Sequence, residues 1–125
     1  MITNFKARQI DSDRRLFIQI DTDGWCVPAI DLYKDLEIDI MSPFEVASGC
    51  DVVKIGQEYP DLIMSGGVDK MVLAKGPAEI DAFVDRVFPA MQKRGGYIPT
   101  CDHGVPEEVS LKNYMHYRKR ALEFA

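Results

Sequence analysis

One pattern limits this chain more than any other. A short apolar run, a polar or glycine-rich turn and a helical stretch follow one another in that order four times. Leu16-Phe17-Ile18-Gln19-Ile20 is nearly continuous in apolar character, as expected of a strand buried on both faces of a parallel sheet. It ends in the polar turn Asp21-Thr22-Asp23-Gly24. Pro28 then suits the first turn of a helix, continued from Ala29 to Leu36 with Ile30 and Tyr33 on one face. Ile38-Asp39-Ile40-Met41 is the second strand, followed by Ser42-Pro43. A helical stretch begins at Phe44 to Ala47, breaks at Gly49, resumes from Asp51 to Tyr59 and stops at Pro60. Leu62-Ile63-Met64 is the third strand, closed by Ser65-Gly66-Gly67. Gly76-Pro77 opens the clearest helix, with Ile80, Phe83, Val84, Val87 and Met91 at helical spacing. Pro89 is expected to kink or split it, and Gly95 to cap it. Tyr97-Ile98-Pro99 is the fourth strand. Ser110 caps a last helix on which Leu111, Tyr114, Arg118, Ala121 and Leu122 share a face. Residues 1–13 lack a clear period and read as a tail or a stray helix.

Alternation of this kind demands a parallel sheet with right-handed crossovers. A complete barrel of eight βα units takes roughly 250 residues, whereas this chain has 125. The expected fold is therefore α/β: one domain over 1–125, four parallel βα units, half of a (β/α)8 TIM barrel. Half a barrel leaves edge strands open at 16–20 and 97–99, and open edges must be covered or paired. Self-association is the expected outcome.

Charge and composition remove several function classes. A net charge of −5 argues against a nucleic-acid partner, which would need clustered Lys and Arg. The one dense basic patch, Arg118-Lys119-Arg120, reads as a solvated helix face near a C-terminus. No apolar run approaches a membrane span, and no secretory leader opens the chain. Cys26, Cys50 and Cys101 are scattered, with no CxxC, which predicts a reduced, cytoplasmic protein.

In parallel α/β folds chemistry sits at the C-terminal ends of the strands. Those ends here carry Asp21 and Asp23; Ser42 and Glu45; Gly66, Gly67 and Asp69; and Cys101, Asp102 and His103. Asp69 and Ser42 taken alone are ordinary turn and cap residues. His103, in a glycine-flanked loop after the fourth strand, is the candidate catalytic residue, able to act as acid, base, donor or ligand. His116 lies off the apolar stripe of the last helix and reads as solvated. Asp21, Asp23 and His103 form a candidate site for a divalent metal of the harder kind, with Cys101 near enough to add a sulfur. Glu45, Gly66, Gly67 and Asp102 are the candidate substrate contacts. The double glycine would let backbone approach a phosphate or carboxylate.

Several stretches together carry a resemblance. Asp23-Gly24-Trp25, the run SPFEVASGCDV from Ser42 to Val52, SGGVDK from Ser65 to Lys70, and GGYIPTCDHGVPEEVSLKNY from Gly95 to Tyr114 resemble, in order and spacing, the C-terminal half of the uroporphyrinogen decarboxylase superfamily. That superfamily includes cobalamin-dependent methyltransferases. The resemblance covers most of the chain and implies the last four units of a (β/α)8 barrel. It aligns His103 with the histidine that faces the porphyrinogen in the decarboxylases. It places Asp21, Asp23 and His103 where zinc-containing methyltransferases carry a His-x-Cys pair and a Cys. It also implies that an Arg and an Asp essential to the decarboxylases belong to an N-terminal half absent from this chain.

Three expectations follow. The first is part of a corrinoid-dependent methyltransferase acting on a small molecule, with a corrinoid or corrinoid protein as co-substrate, incomplete without its other half. The second is a tetrapyrrole decarboxylase. The third is a non-catalytic fragment or a binding and self-association module.

Overall fold

The computed structural model describes residues 2–11 and 13–124. Four short strands, β1 (Gln19–Asp21), β2 (Ile40–Ser42), β3 (Ile63–Ser65) and β4 (Tyr97–Ile98), form one parallel sheet in the order β1-β2-β3-β4. Between and around them run α1 (Ile2–Ala7), α2 (Ile30–Asp35), α3 (Val52–Glu58), α4 (Lys70–Lys75), α5 (Pro77–Arg94) and α6 (Leu111–Leu122), with single 3-10 turns at Val27–Ala29 and Val46–Ser48. The α/β class and the parallel, alternating architecture are as the apolar runs predict.

The strands begin later than those runs. Leu16 and Phe17 lie outside the ladder and are exposed. The Asp39 carboxylate accepts the Ile18 N–H at 2.8 Å, and the Arg15 guanidinium lies 4.6 Å over the Phe17 ring. Ile18 stays tied to the β2 side, its carbonyl accepting the Asp39 and Ile40 N–H groups at 2.9 and 3.1 Å. Burial pushes Asp39 up, but the Ile18 N–H and the Lys6 and Arg15 charges outweigh it and hold the carboxyl below its usual range. Lys6 also donates to the Glu37 carbonyl at 2.8 Å, which ties α1 to the segment before β2.

Register divides the sheet into two unlike faces. Ile20, Met41, Met64 and Tyr97 are direct partners across the four strands. With residues from the helices they build the core: Ile30, Val52, Ile55, Leu73, Ile80, Val84, Val87, Phe88, Met91 and Tyr117. The opposite face carries Gln19, Asp21, Ile40, Ser42, Ile63, Ser65 and Ile98, and none of its three isoleucines joins that core. Sequential strand order with crossovers of one hand puts every helix on one side, so the other face is left to the polar and half-buried set.

Several helix expectations are corrected. α5 runs unbroken through Pro89. The proline sits on the exposed side of the helix, where its missing N–H and its ring disturb no packed neighbour of the core. The fork of Arg94, at the end of α5, donates to the carbonyls of Gly56 at 3.0 Å and Tyr59 at 2.7 Å, and to that of Leu62. It thereby satisfies carbonyls at the end of α3 that the helix leaves unpaired. On α6 the buried residue is Tyr117, while Leu111 and Leu122 are exposed. The Tyr117 ring meets Phe88 edge-on at 6.3 Å, and its hydroxyl donates to Pro99 O at 3.2 Å. Nor is the basic patch simply solvated. Arg120 pairs with Asp81, Asp85 and Glu123, and His116 Nε2 lies 2.9 Å from Asp81 Oδ1.

The three cysteines are free thiols. Cys26 and Cys50 are buried with their sulfurs 3.7 Å apart; burial first, and then Cys50, pushes the Cys26 thiol up to about 12. Among the described residues no helix is long and apolar enough to cross a membrane. Beside the open edge of β4 lies a hollow of about 310 Å³, lined by Phe88, Met91, Tyr97, Pro99, Ala121 and Phe124.

Candidate functional site

At the C-terminal end of the sheet, the loops after β2, β3 and β4 meet around one buried carboxylate, and the loop after β1 joins them through Asp23 and Gly24. Asp102 is fully buried. Its N–H donates to Val68 O at 2.9 Å, within a parallel bridge between Val68 and Cys101 that carries the sheet beyond β4. Its side chain accepts the Val46 N–H at 3.0 Å, the Lys70 N–H at 3.3 Å and the Lys70 ammonium at 3.4 Å. Two residues before Val46, Phe44 adopts a left-handed backbone, φ 55°, with its ring fully buried. That conformation costs an L-residue roughly 1–2 kcal/mol, which burial of a phenylalanine offsets.

Lys70 is the hinge of the arrangement. Its ammonium lies 3.4 Å from Asp102 Oδ1 and also 3.4 Å from His103 Nδ1. On the far side of the imidazole, Nε2 lies 3.3 Å from Asp23 Oδ1. A continuous line, Asp102–Lys70–His103–Asp23, therefore runs from the buried interior to an exposed carboxylate. Glu45 stands beside it and accepts the Gly24 N–H at 3.1 Å and the Ser48 hydroxyl at 2.8 Å. The Ser48 hydroxyl, against some burial and helped by the Gly24 N–H, His103 and Lys70, holds the Glu45 carboxyl below its usual range. On the helix-free face Ser42 Oγ donates to Asp21 Oδ2 at 2.6 Å and accepts from Gln19 Nε2 at 3.0 Å. Ser65 and Thr100 hydroxyls meet at 3.3 Å on the same face.

Measured against the sequence expectations, the structure brings His103, Asp23, Glu45 and Asp102 into one cluster, and it gives some of them other work. Asp102, expected at the substrate, is closed off and spends its acceptors on protein donors. Gly66 and Gly67, expected to admit a ligand, are filled by protein. A Cβ on Gly66 would lie 1.8 Å from Pro43 O, and one on Gly67 would lie 2.3 Å from Val52 Cγ1. Pro43 follows a cis peptide and accepts the Gly67 N–H at 2.8 Å. Asp69 caps α4 by accepting the Met71 N–H at 2.8 Å.

The expected metal set does not assemble. Asp23 goes to His103 and Asp21 to Ser42, and both imidazole nitrogens already face protein groups. Among the described residues no three His, Cys, Asp or Glu side chains gather as a metal site. Cys101 is half-buried, and burial, then the neighbouring Asp102 charge, raises its thiol, with the His103 and Asp102 N–H groups and Lys70 opposing. A protonated thiol is a poor ligand.

Lys70 is the residue that sequence reading misses. A signal was present: lysine occupies the first position of α4, where the helix dipole disfavours a cation. A lysine there needs an anionic partner, and Asp102 is that partner.

Comparison with known protein families, with curated proteins and with solved structures finds no match to this chain.

Proposed function

We propose that this chain supplies one half of a uroporphyrinogen decarboxylase-like (β/α)8 barrel, with His103 as the group that exchanges a proton with a small molecule held over the strand ends. The observation that carries the proposal is the Asp102–Lys70–His103–Asp23 line, set at the C-terminal end of a parallel sheet whose strand order never reverses. Open doubly wound sheets reverse their order and carry helices on both faces. Barrels do neither, and the helix-free face of Gln19, Ser42, Ser65 and Ile98 suits a barrel interior. β1 and β4 are both open edges, so closure takes four further strands, and a second copy of this chain would supply them.

In the reading the motifs favour, the intact barrel transfers a methyl group between a corrinoid and a small molecule. The corrinoid carries the methyl group. His103 gives a proton to the demethylated product, which gains one as the methyl group leaves. Lys70 and Asp23 hold the ring in place, and Glu45 keeps a negative charge beside it. No metal is assigned, because the donor set does not fit one. A second reading, tetrapyrrole decarboxylation, draws on the Lys70 ammonium beside His103, a spot suited to a substrate carboxylate.

The test is titration of the purified chain with hydroxocobalamin and, separately, with a porphyrinogen, followed by absorbance and with mass measured by light scattering. Corrinoid binding to a dimeric species, weakened at least about tenfold in His103→Ala, supports methyl transfer; a tenfold effect corresponds to one good hydrogen bond. Porphyrinogen binding alone transfers the argument to decarboxylation. A monomer that binds neither ligand overturns the proposal.

A further inference from the structure

We infer that Lys70 is a positioning residue that dictates which nitrogen of His103 carries the proton. The inference rests on the reading of His103 as the proton-exchanging group. An ammonium has three N–H donors and no acceptor. At 3.4 Å from Nδ1 it meets an N–H head-on if Nδ1 is protonated, and a lone pair if it is not. A neutral His103 therefore carries its proton on Nε2, which points at Asp23 Oδ1 at 3.3 Å. The proton available to a substrate is then the one on the outward nitrogen, the side where Asp23 is largely exposed and Lys70 is not.

The lysine cannot easily turn aside. Its ammonium and its own backbone N–H both engage Asp102 Oδ1, and Asp102 is fully buried with no solvent to replace that partner. Asp102 thus acts through Lys70 on the imidazole without touching it. Asp23 is the weaker candidate for the same task, because a carboxylate 71 % exposed moves freely and is screened by water.

Imidazole nitrogen shifts report the tautomer directly. The chain holds two histidines, so 15N-histidine labelling gives two ring systems, assigned with His116→Gln. Spectra of the full chain are recorded at rising pH until the ring shifts stop changing, which marks the neutral imidazole. In the parent chain His103 is expected as Nε2–H alone. In Lys70→Met the ratio of the two tautomers moves at least about tenfold toward Nδ1–H, the scale of one charge-assisted hydrogen bond; Lys70→Arg retains the parent ratio. If Lys70→Met does not fold, Asp23→Asn decides. With Lys70 in place, loss of the Asp23 charge leaves the proton on Nε2. A shift of the proton to Nδ1 in Asp23→Asn, or unchanged His103 shifts in a folded Lys70→Met, overturns the inference. Neither result depends on ligand binding, so failure of the functional reading would leave this outcome standing, and the reverse.

Discussion

Replacing Gly66 by alanine should destabilise the fold far more than its position in a loop suggests. The backbone there has φ +121°, a region that costs an L-residue about 1–2 kcal/mol. The added methyl would sit 1.8 Å from Pro43 O, 2.5 Å from its carbonyl carbon and 2.9 Å from its Cα. All three are backbone atoms, so no rotamer change relieves them, and the segment from Ser42 to Glu45 must retreat. Retreat breaks the Gly67 N–H to Pro43 O bond of 2.8 Å and disturbs the Tyr97 hydroxyl on Gly66 O at 2.9 Å. Each buried group left without a partner costs about 1–3 kcal/mol. The sum is about 3–8 kcal/mol, a large share of the roughly 5–15 kcal/mol that holds a domain together. Gly24→Ala is the control. It also has positive φ, +75°, but nothing lies within 4 Å of its Cβ, so only the backbone term of about 1–2 kcal/mol remains. Urea unfolding followed by far-UV circular dichroism measures both. If Gly66→Ala lies within about 1 kcal/mol of Gly24→Ala, the packing account of this glycine is refuted, and a ligand-approach role for it regains its place.

Two further outcomes are expected. Arg94→Met should cost about 2–4 kcal/mol in the same urea experiment, since the fork holds carbonyls of Gly56, Tyr59 and Leu62; Arg94→Lys should recover less than half, an ammonium being unable to span the set. Stability should also fall steeply at alkaline pH. Burial raises Cys26 to about 12 and lifts Tyr97 and Tyr117 well above their usual range. The unfolded chain therefore loses these protons first, and the stability they contribute is complete below about pH 9 and lost as pH rises. The slope approaches about 1.4 kcal/mol per pH unit for each group. Urea midpoints measured from pH 8 to 11 check this, and a flat profile would contradict it.

The four-unit plan was legible in sequence because strands buried on both faces show as continuous apolar runs between turn residues. Helix α4 was not: its six residues, Lys70 to Lys75, are too few to display a period. Pro89 misled because sequence does not say which side of a helix meets water. In the site, His103 and Asp23 could be found from their places at strand ends. Asp102 and Lys70 were misjudged or missed because their roles come from a contact between residues 32 apart in sequence, which no local spacing encodes. The glycine pair misled for the reverse reason. Sequence reveals that something approaches a glycine closely, but not whether that something is a ligand or the chain itself.

The single buried carboxylate of Asp102 also fixes an order of events. Its bond to the Val46 N–H joins positions 56 apart in sequence, and the Lys70 contacts close the same circle. A ribosome releases the loops after β1, β2 and β3 well before residue 102 emerges. Until then Val46 has no acceptor there, and Lys70 has no counter-charge. The first three βα units can thus stack during synthesis, each against its neighbour, while the end that carries the chemistry stays unassembled. The face closes in one step when the last strand docks, so the emerging chain presents no formed site before its fourth unit is in place.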